Sequence, residues 1–464
     1  MNKQIHFIGI GGSGLSALAQ VMLARGWRVS GSDRERSTRT ARLERLGATI
    51  YERHERSHVA GADVVVISSA IPSDNVERRA ALEMGIPVMK REQWLAEMTQ
   101  ESELIAVAGT HGKSTTTAMV ALMLLNAGLD PTVVIGATLP QIEGNARAGN
   151  SHLFVIEADE YDFAFLGLKP EIAVVLNIEH DHPDMFEDDL AVQDAFHRFI
   201  SQLSPAGTLI ACGDDAGVQR LLDNLSPRGR VVRYGFGEGL EWRAAGRKRN
   251  DLGGIDFVAL HDAVPIGAFR LAVPGHHNVL NALAAIAVGD VLGIDTATMQ
   301  ASLTAFTGVN RRFEAVGAVG TIQIYDDYAH HPTEIRATLQ AARQRFGRRP
   351  LWVVFQPHTF SRLSALYEDF LTAFAEADHV VVSDVFAARE SGDSAAQSRQ
   401  LAREIVGTDA HYRATQAQIV DYLLAALPER AVVLTLGAGD ITSLGPRLRN
   451  ALEDRLALES GEPV

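Results

Sequence analysis

At 464 residues the chain is too long for one hydrophobic core, and two or three domains are expected. A formal net charge of −14 argues against a nucleic-acid-binding surface, and small anionic substrates would need basic residues concentrated in one place. The single cysteine, Cys212, excludes an internal disulfide framework and favours a reducing cytoplasm. No apolar run approaches the roughly 18 residues that cross a membrane, and no signal peptide precedes the first predicted strand. We expect a cytoplasmic protein with neither a membrane nor a nucleic-acid partner.

The first predicted unit is a strand, a glycine-rich turn and a helix. The strand covers 4–9, and the turn GlyIleGlyGlySerGly occupies 9–14. A second strand over 28–33 ends in Asp33, and a third covers 63–72. This pattern is typical of Rossmann domains, in which glycines let a pyrophosphate approach the turn and an acidic residue lies near the ribose. A dinucleotide and a sugar nucleotide both fit such a turn, and a purely structural turn is the alternative.

A second glycine turn, GlyThrHisGlyLysSer over 109–114, lies between a short apolar strand (104–108) and an apolar helix. In such a unit the turn amides and the helix N-terminus face an anion, a lysine adds positive charge, and a hydroxyl can bind Mg²⁺. Lys113 and Ser114 hold these two positions. The turn is shorter than the usual phosphate loop, because Val107 stands where its first glycine is expected. ATP binding is our interpretation, and a chance glycine-rich turn is the alternative.

Acidic clusters follow the next two apolar strands. Strand 153–156 is followed by Glu157 and further carboxylates, and strand 172–177 by a segment that contains His182. Since ligands of parallel sheets collect beyond the carboxyl ends of the strands, both clusters should face the phosphate loop. Glu157 and His182 are the predicted ligands of Mg²⁺ or Mn²⁺. The carboxylates after Glu157 fit a solvated loop equally well.

Asn278 and Asn281 lie at the start of an alanine-rich helix. Their amides are suited to reading an adenine edge, and Asn278 is also suited to capping the helix. The basic tract over 243–249 is interpreted as a solvated hairpin in preference to a binding patch.

Further α/β units begin near residue 309, with polar clusters at the ends of their strands. The clusters are AspAspTyrAlaHisHisPro (326–332), GlnProHisThrPheSerArg (356–362), and the ends of the strands over 379–384 and 431–440. Four polar strand ends in one domain predict a shared cleft. Each single histidine among them fits a satisfied polar group in a loop equally well.

Together these motifs resemble the Mur ligase family over nearly the whole chain. The turn at 9–14 resembles the family's UDP loop, and the turn at 109–116 resembles its ATP loop, with serine in place of the usual threonine. The series continues through GluAlaAspGlu, AspHisProAspMet, AsnArgArgPheGlu (310–314) and the two histidine-containing motifs above. Seven ordered motifs are far more specific than any one of them.

The resemblance implies an α/β protein of three domains. These are a Rossmann-like UDP-binding domain (1–98), a central P-loop ATPase domain with a mainly parallel sheet (99–308), and a Rossmann-like C-terminal domain (309–464) that closes over the nucleotide. The implied activity is an ATP- and Mg²⁺-dependent ligation that adds L-alanine to the lactyl carboxylate of UDP-N-acetylmuramate through an acyl phosphate, in peptidoglycan precursor synthesis. The expected partners are these small molecules, and the expected state is a monomer or weak homodimer.

The resemblance also implies roles for individual residues. The UDP-sugar would contact Gly9, Gly11, Gly12, Ser13, Gly14, Ser16, Asp33, Ser68 and Ser69. ATP would contact Gly109, Thr110, Gly112, Lys113, Ser114, Thr115, Asn278, Asn281, Arg311, Asp326 and Asp327. The metal would be held by Ser114, Glu157 and His182. The catalytic set would be Lys113, His182, His330, His331, His358 and Arg362, with one of His330, His331 and His358 as the base.

Two positions depart from the family pattern. Tyr161 stands where many alanine-adding members have serine, and the recycling ligase that joins a tripeptide to UDP-N-acetylmuramate also has tyrosine there. Thr359 stands where some members have arginine. The recycling ligase is therefore the alternative function. An NAD-dependent dehydrogenase would leave residues 104–185 without a role, and the intact Lys113 argues against a scaffold that has lost activity.

Overall fold

The computed structural model describes residues 3–225 and 229–460, without the side chains of 459 and 460. The outer ends of the predicted first and third domains, at 1–2 and 461–464, lie outside the described residues. The described chain forms three β-sheets, one after another along the sequence.

The first sheet is fully parallel and is flanked by helices. Its strands are β1 (Gln4–Ile8), β2 (Arg28–Ser32), β3 (Thr49–Tyr51), β4 (Val64–Ile67) and β5 (Val88–Lys90). Its helices are α1 (Ser13–Ala24), α2 (Thr38–Arg45), α3 (Val76–Glu83) and α4 (Arg91–Met98). The strand order β3-β2-β1-β4-β5 reverses direction at β1, so the glycine turn after β1 lies at the switch point where ligands of such sheets bind.

The second sheet has ten strands in the order β15-β14-β13-β12-β11-β10-β6-β9-β7-β8. The strands are β6 (Glu103–Ala108), β7 (Thr132–Leu139), β8 (Gly144–Arg147), β9 (Leu153–Glu157), β10 (Ile172–Val175), β11 (Thr208–Cys212), β12 (Arg230–Gly235), β13 (Trp242–Arg249), β14 (Ile255–His261) and β15 (Val264–Arg270). The helices are α5 (Lys113–Asn126), α6 (Asp189–Ile200), α7 (Ala216–Asp223), α8 (His276–Val291) and α9 (Thr296–Ala305). Strands β6 to β13 pair in parallel except for the β7–β8 hairpin, and the β13–β14 and β14–β15 pairs are antiparallel. The basic tract over 243–249 lies on β13, within this antiparallel segment.

The third sheet has six strands in the order β16-β17-β21-β18-β19-β20. The strands are β16 (Glu314–Val319), β17 (Ile322–Asp327), β18 (Leu351–Phe355), β19 (His379–Val382), β20 (Asp409–Tyr412) and β21 (Val432–Leu436). The helices are α10 (Pro332–Phe346), α11 (Phe360–Ala365), α12 (Tyr367–Thr372), α13 (Ser394–Glu404), α14 (Gln416–Ala426) and α15 (Leu444–Ser460). β16 is antiparallel to β17 and the remaining pairs are parallel. The predicted α/β class with mainly parallel sheets is confirmed.

The position of β6 in the second sheet brings the predicted nucleotide motifs together. β6 is apolar on both faces and pairs with β10 on one side and β9 on the other. All three strands run in the same direction, so the glycine turn and both acidic segments leave the sheet at the same edge. α8 packs on α5 in one hydrophobic cluster and thereby fixes the helix that follows the turn.

Several strands end earlier than the sequence indicated, among them β10 at Val175 and β19 at Val382. β4 stops at Ile67, because a turn closed by the Ile71 amide and the Ser68 carbonyl follows it. β21 stops at Leu436, because Gly437 has φ of +147° and leaves the extended conformation. None of the described helices is both long enough and apolar enough to cross a membrane.

We expect Leu283→Ala to destabilise the protein by about 2–5 kcal/mol, because Leu283 of α8 lies fully buried in the central hydrophobic cluster. The matched change Leu190→Ala should alter stability by less than about 0.5 kcal/mol, because Leu190 is 76% exposed on α6. Thermal unfolding followed by circular dichroism compares the two variants. Equal shifts in the unfolding midpoint would contradict this account of the central core.

Candidate active site

The phosphate loop holds the Lys113 ammonium within its own backbone. The Lys113 Nζ donates to the carbonyls of Gly109 at 2.7 Å and Thr110 at 3.1 Å, and it pairs with the Glu160 carboxylate at 2.8 Å. Burial alone would lower the pKa of Lys113, but the charges of Glu160 and Asp159 raise it above its ordinary value. The ammonium therefore stays charged beside the loop.

Gly112 allows the close approach on which this loop depends. Its φ of +85° is in the left-handed region, and a Cβ there would lie 2.7 Å from the Asn281 Oδ1. Two of the predicted metal ligands lie together at this loop. The Ser114 hydroxyl donates to the Glu157 carboxylate at 2.8 Å. Carboxylate and hydroxyl oxygens are the donors that Mg²⁺ prefers, so Ser114 and Glu157 fit that ion.

His182 lies on the other side of Glu160. Its Nε2 is 3.7 Å from the Glu160 Oε1 and 3.8 Å from the Asp181 Oδ2, and its φ is +55°. Such a backbone conformation is costly for a residue with a side chain and often occurs at functional sites. The edge of the Tyr161 ring packs on the His182 ring, with centroids 5.0 Å apart, and the Tyr161 hydroxyl donates to Asp184 at 3.0 Å.

A buried ion pair joins this region to the third sheet. The Arg362 guanidinium donates to the Asp181 carboxylate at 2.8 Å and 2.7 Å, and both side chains are buried. It also lies 3.1 Å from the His358 Nδ1, and the His358 and His330 ring centroids are 5.7 Å apart. Burial opposes the charged form of Asp181, but the neighbouring charges of His182 and Arg362 hold its pKa well below the ordinary value. The structure thus brings His182, His330, His358 and Arg362 together.

His331 belongs to a second cluster with His111 and Glu179. The ring centroids of His111 and His331 are 4.7 Å apart, and the Glu179 Oε2 lies 3.2 Å from the His111 Nε2 and 3.8 Å from the His331 Nδ1. One ligand atom from each of the three residues lies within 4.8 Å of the others, which makes this a donor set for a cation. The same His331 Nδ1 accepts from the Thr333 amide and caps α10, so this ring also positions a helix.

The histidines of the two clusters differ from one another in how strongly they hold a proton. Burial alone would lower the pKa of His111, but hydrogen bonds to Glu179 and Glu334 raise it to about 9. Burial and the charge of His111 lower the pKa of His331 to about 4. Burial and the charges of His330 and Arg362 lower the pKa of His358 to about 3. His331 and His358 are therefore held as neutral imidazoles near pH 7.

A cavity of about 280 Å³ lies beside the phosphate loop, between the second and third sheets. Asn278, Asn281, Thr115 and Asp327 all line it. The alternative prediction that Asn278 caps α8 is wrong, because α8 begins after Gly275. The side-chain amide of Asn278 donates instead to the Pro274 carbonyl at 2.7 Å.

In two pairs of neighbouring residues, Asp326–Asp327 and Arg311–Arg312, only one member belongs to the described lining of the cavity. Asp327 lines the cavity, and burial raises its pKa to about 6, whereas the Asp326 carboxylate accepts from the hydroxyls of Thr435 and Thr442. Arg312 lines the cavity and pairs with Glu334 at 2.9 Å.

Arg311 points to a different environment. Its guanidinium contacts Asp326 at 3.3 Å and donates to the carbonyl of Gly437 at 2.6 Å. The described lining of the cavity contains neither Arg311 nor Asp326.

The glycine turn of the first sheet is closed by the residues predicted for the UDP-sugar. The Gly11 amide donates to the Asp33 carboxylate at 2.8 Å, and the Ser16 hydroxyl donates to the Ser13 carbonyl at 3.1 Å. Gly9 has φ of +84°, and a Cβ there would lie 3.0 Å from the Ser68 Cβ. Gly12 directly precedes α1, Gly14 lies in its first turn, and Ser69 is exposed just after β4.

Sequence reasoning missed several residues at these sites. His277, Arg312 and Glu334 line the cavity beside the phosphate loop, and Arg91 lies over the first turn of α1. The family resemblance implies Arg311 of the ArgArg pair as the ATP contact, whereas Arg312 is the arginine that lines the cavity. Arg91 carried no signal in the sequence, because its ion pair with Asp159 depends on how the first and second sheets pack.

Three family descriptions match this chain in consecutive segments. They are "Mur ligase family, catalytic domain" over 4–103, "Mur ligase middle domain" over 107–289, and "Mur ligase, glutamate ligase domain" over 311–439. The chain belongs to the Mur ligase family. The resemblance inferred from the motifs is confirmed.

Curated and solved Mur ligases are similar over nearly their full length. The UDP-N-acetylmuramate–L-alanine ligase of Frankia casuarinae is 45% identical, with 97% of this chain and 98% of that protein covered. The UDP-N-acetylmuramate–alanine ligase of Thermotoga maritima has a TM-score of 0.83 at 30% identity, covering 97% of this chain and 99% of that one. A murein peptide ligase of Psychrobacter arcticus has a TM-score of 0.74 at 27% identity, also covering 97% and 99%.

We expect the His111 imidazole to titrate near pH 9 in an NMR experiment on the full chain. This pKa lies above the ordinary 6.5, so protonated His111 with its carboxylate partners should add to the free energy of unfolding. That contribution should be complete below about pH 6.5 and be lost as the pH rises through 9. Glu179→Gln should move the titration towards 6.5. Glu103→Gln, which removes the partner of the exposed His152, should leave His111 unchanged. A His111 midpoint that is the same in all three proteins would contradict the ion-pair account.

Proposed function

We infer that the chain is an ATP-dependent ligase that adds L-alanine to the lactyl carboxylate of UDP-N-acetylmuramate in peptidoglycan precursor synthesis. The similar proteins of Frankia casuarinae and Thermotoga maritima carry this activity in their names. The observation that carries the inference is the convergence of the Lys113 loop, the Ser114–Glu157 pair and the Arg362–His358 group on one cleft between sheets. Such a cleft can hold a nucleotide, a metal ion and two reacting groups together.

We propose that this chain's residues position and neutralise anions more than they react. The lactyl carboxylate attacks the γ-phosphate of ATP to give an acyl phosphate and ADP, and the amine of L-alanine then displaces phosphate. Lys113 would exchange Glu160 for phosphate oxygens, and Ser114 and Glu157 would hold Mg²⁺. When bound, that ion supplies charge neutralisation for the phosphates. His182 would orient the carboxylate that is activated.

The nucleotide would occupy the cavity beside the loop. Asn278 and Asn281 present amides for the adenine edge, and Asp327 presents a carboxylate for the ribose. Arg312, and not Arg311, is the arginine proposed to face the nucleotide. We further propose a cytoplasmic location, a monomer or weak homodimer, and the domain bounds 1–98, 99–308 and 309–464.

We propose His330 as the base that takes the proton of the incoming ammonium group. A base works best when its pKa lies near the working pH. The pKa values of His358, about 3, and His331, about 4, are too low for this purpose. The His330 ring lies beside His358 and is oriented by Glu334, whose Oε2 is 3.2 Å from the His330 Nδ1.

Phosphate release from Mg-ATP and UDP-N-acetylmuramate should depend on L-alanine. The assay offers L-alanine, glycine, L-serine and the L-Ala-γ-D-Glu-diaminopimelate tripeptide in turn. Release with L-alanine well above release with the tripeptide is expected. Release with the tripeptide alone would instead favour the recycling activity and direct attention to Tyr161, whose ring packs on His182.

Lys113→Ala should lower kcat for phosphate release by about 100-fold or more, because it removes a charge held at the phosphate loop. Lys248→Ala is the matched control, since Lys248 is exposed on β13 far along the sheet from β6. Its rate should equal that of the unaltered protein. An unchanged rate in Lys113→Ala, with folding verified by circular dichroism, would overturn the assignment of the ATP loop.

A further inference from the structure

Two neighbouring carboxylates on one loop each neutralise a cation from a different sheet. Glu160 pairs with Lys113 of the phosphate loop at 2.8 Å. Asp159 pairs with Arg91, the first residue of α4 in the N-terminal part of the chain, at 2.6 Å. The segment after β9 therefore links the two glycine loops through adjacent residues.

Arg91 lies directly over the first turn of α1. A Cβ on Gly14 would lie 2.6 Å from one Arg91 Nη atom and 3.3 Å from its Cδ, so the absence of a side chain at Gly14 makes room for the guanidinium. No side chain caps the first amides of α1, because the residue before the helix is Gly12. A guanidinium beside a helix N-terminus favours an anion, and arginine binds phosphate oxygens in a two-pronged manner.

Asp159 is the anion that occupies Arg91 in this structure. The Asp159 carboxylate accepts from the Arg91 guanidinium at 2.6 Å. The Asp159 carboxylate is thus a fixed negative charge that competes with any phosphate for Arg91. Its Oδ1 also accepts from the Tyr161 amide at 3.2 Å, so its position is coupled to the backbone that carries Glu160.

We propose that Arg91 binds the diphosphate of the UDP-sugar and that Asp159 is an internal counter-ion which this diphosphate displaces. The proposal rests on the proposed function and adds a positioning residue to it. Release of Asp159 shifts the backbone next to Glu160, and this weakens the Glu160–Lys113 pair that ATP must displace. Binding of the UDP-sugar and binding of ATP are therefore mutually favourable, as linkage requires of any such coupling.

A purely structural ion pair between two domains makes a different prediction. If Arg91 and Asp159 only hold the domains together, removing either side chain has the same effect, and both variants bind the UDP-sugar more weakly. If Asp159 competes with the ligand, the two variants change affinity in opposite directions. The sign of the Asp159→Asn effect separates the two accounts.

The test is calorimetric titration of UDP-N-acetylmuramate into the full chain, with and without a non-hydrolysable ATP analogue and Mg²⁺. Arg91→Ala should raise the Kd by about tenfold or more, and Asp159→Asn should lower it several-fold. The analogue should tighten UDP-sugar binding in the unaltered protein and do so less in Asp159→Asn. Asp162→Asn is the matched control, because Asp162 lies on the same loop but pairs with Lys90, at 3.9 Å. Its Kd should change little.

Each outcome bears on one account. Weaker binding in both Arg91→Ala and Asp159→Asn overturns the exchange and leaves a structural tie. An equal gain in Asp159→Asn and Asp162→Asn overturns it in favour of general repulsion of anions. If Arg91→Ala unfolds early in a thermal scan, the Asp159→Asn result still decides between the accounts. Failure of the unaltered chain to bind UDP-N-acetylmuramate while it binds ATP would overturn the proposed function itself.

Discussion

A lysine that is only 12% exposed needs negative charge inside the protein, and Lys113 finds it in Glu160. Removing two opposite charges from water is tolerated only when they are paired and hydrogen-bonded. Lys113 meets this condition with two backbone carbonyls besides the carboxylate, and Glu160 is held at the end of β9, next to β6 in the same sheet. The parallel pairing of β6 and β9 is therefore what makes a charged phosphate loop compatible with a folded core.

Polar and charged contacts also connect the second sheet to the third sheet. Arg362 reaches Asp181 from α11, and His331 reaches the backbone carbonyl of His180 from the start of α10. His111 completes the set, because it lies 3.5 Å from Glu334 of α10. These three contacts between the third sheet and the second are polar and lie within the candidate active site. Any ligand that enters between these groups exchanges one set of charge contacts for another, which links binding to the relative position of the domains.

The fold and the approximate place of the site could be predicted from the sequence, because both depend on local patterns. Apolar runs such as 104–108 indicate buried parallel strands, and glycines at turns indicate where backbone amides are free to meet phosphate. Which member of a neighbouring pair faces the ligand could not be predicted. Successive side chains of a strand point to opposite faces, so Asp326 and Asp327 at the end of β17 had to separate, but the direction depends on how the sheet packs.

The two arginines of the AsnArgArgPheGlu motif show the same limit for a different reason. Arg311 has φ of +60°, and this unusual backbone conformation directs its guanidinium to Asp326 while Arg312 turns to the cavity. Arg91 illustrates a third limit, since it acts between sheets whose packing no local pattern specifies.

Thr359 begins the helix that carries Arg362. Its Oγ1 accepts from the Arg362 amide at 3.4 Å and caps α11, and its own φ is +56°. A hydroxyl at this place starts the helix that carries Arg362, because it satisfies an amide at the first turn that would otherwise lack a partner. The position thus contributes through geometry where an arginine would contribute a charge, and Arg362 remains the cation aligned with Asp181. Thr359 begins α11 in a way that leaves Arg362 turned towards the second sheet. It does so without adding a further positive charge to the cleft.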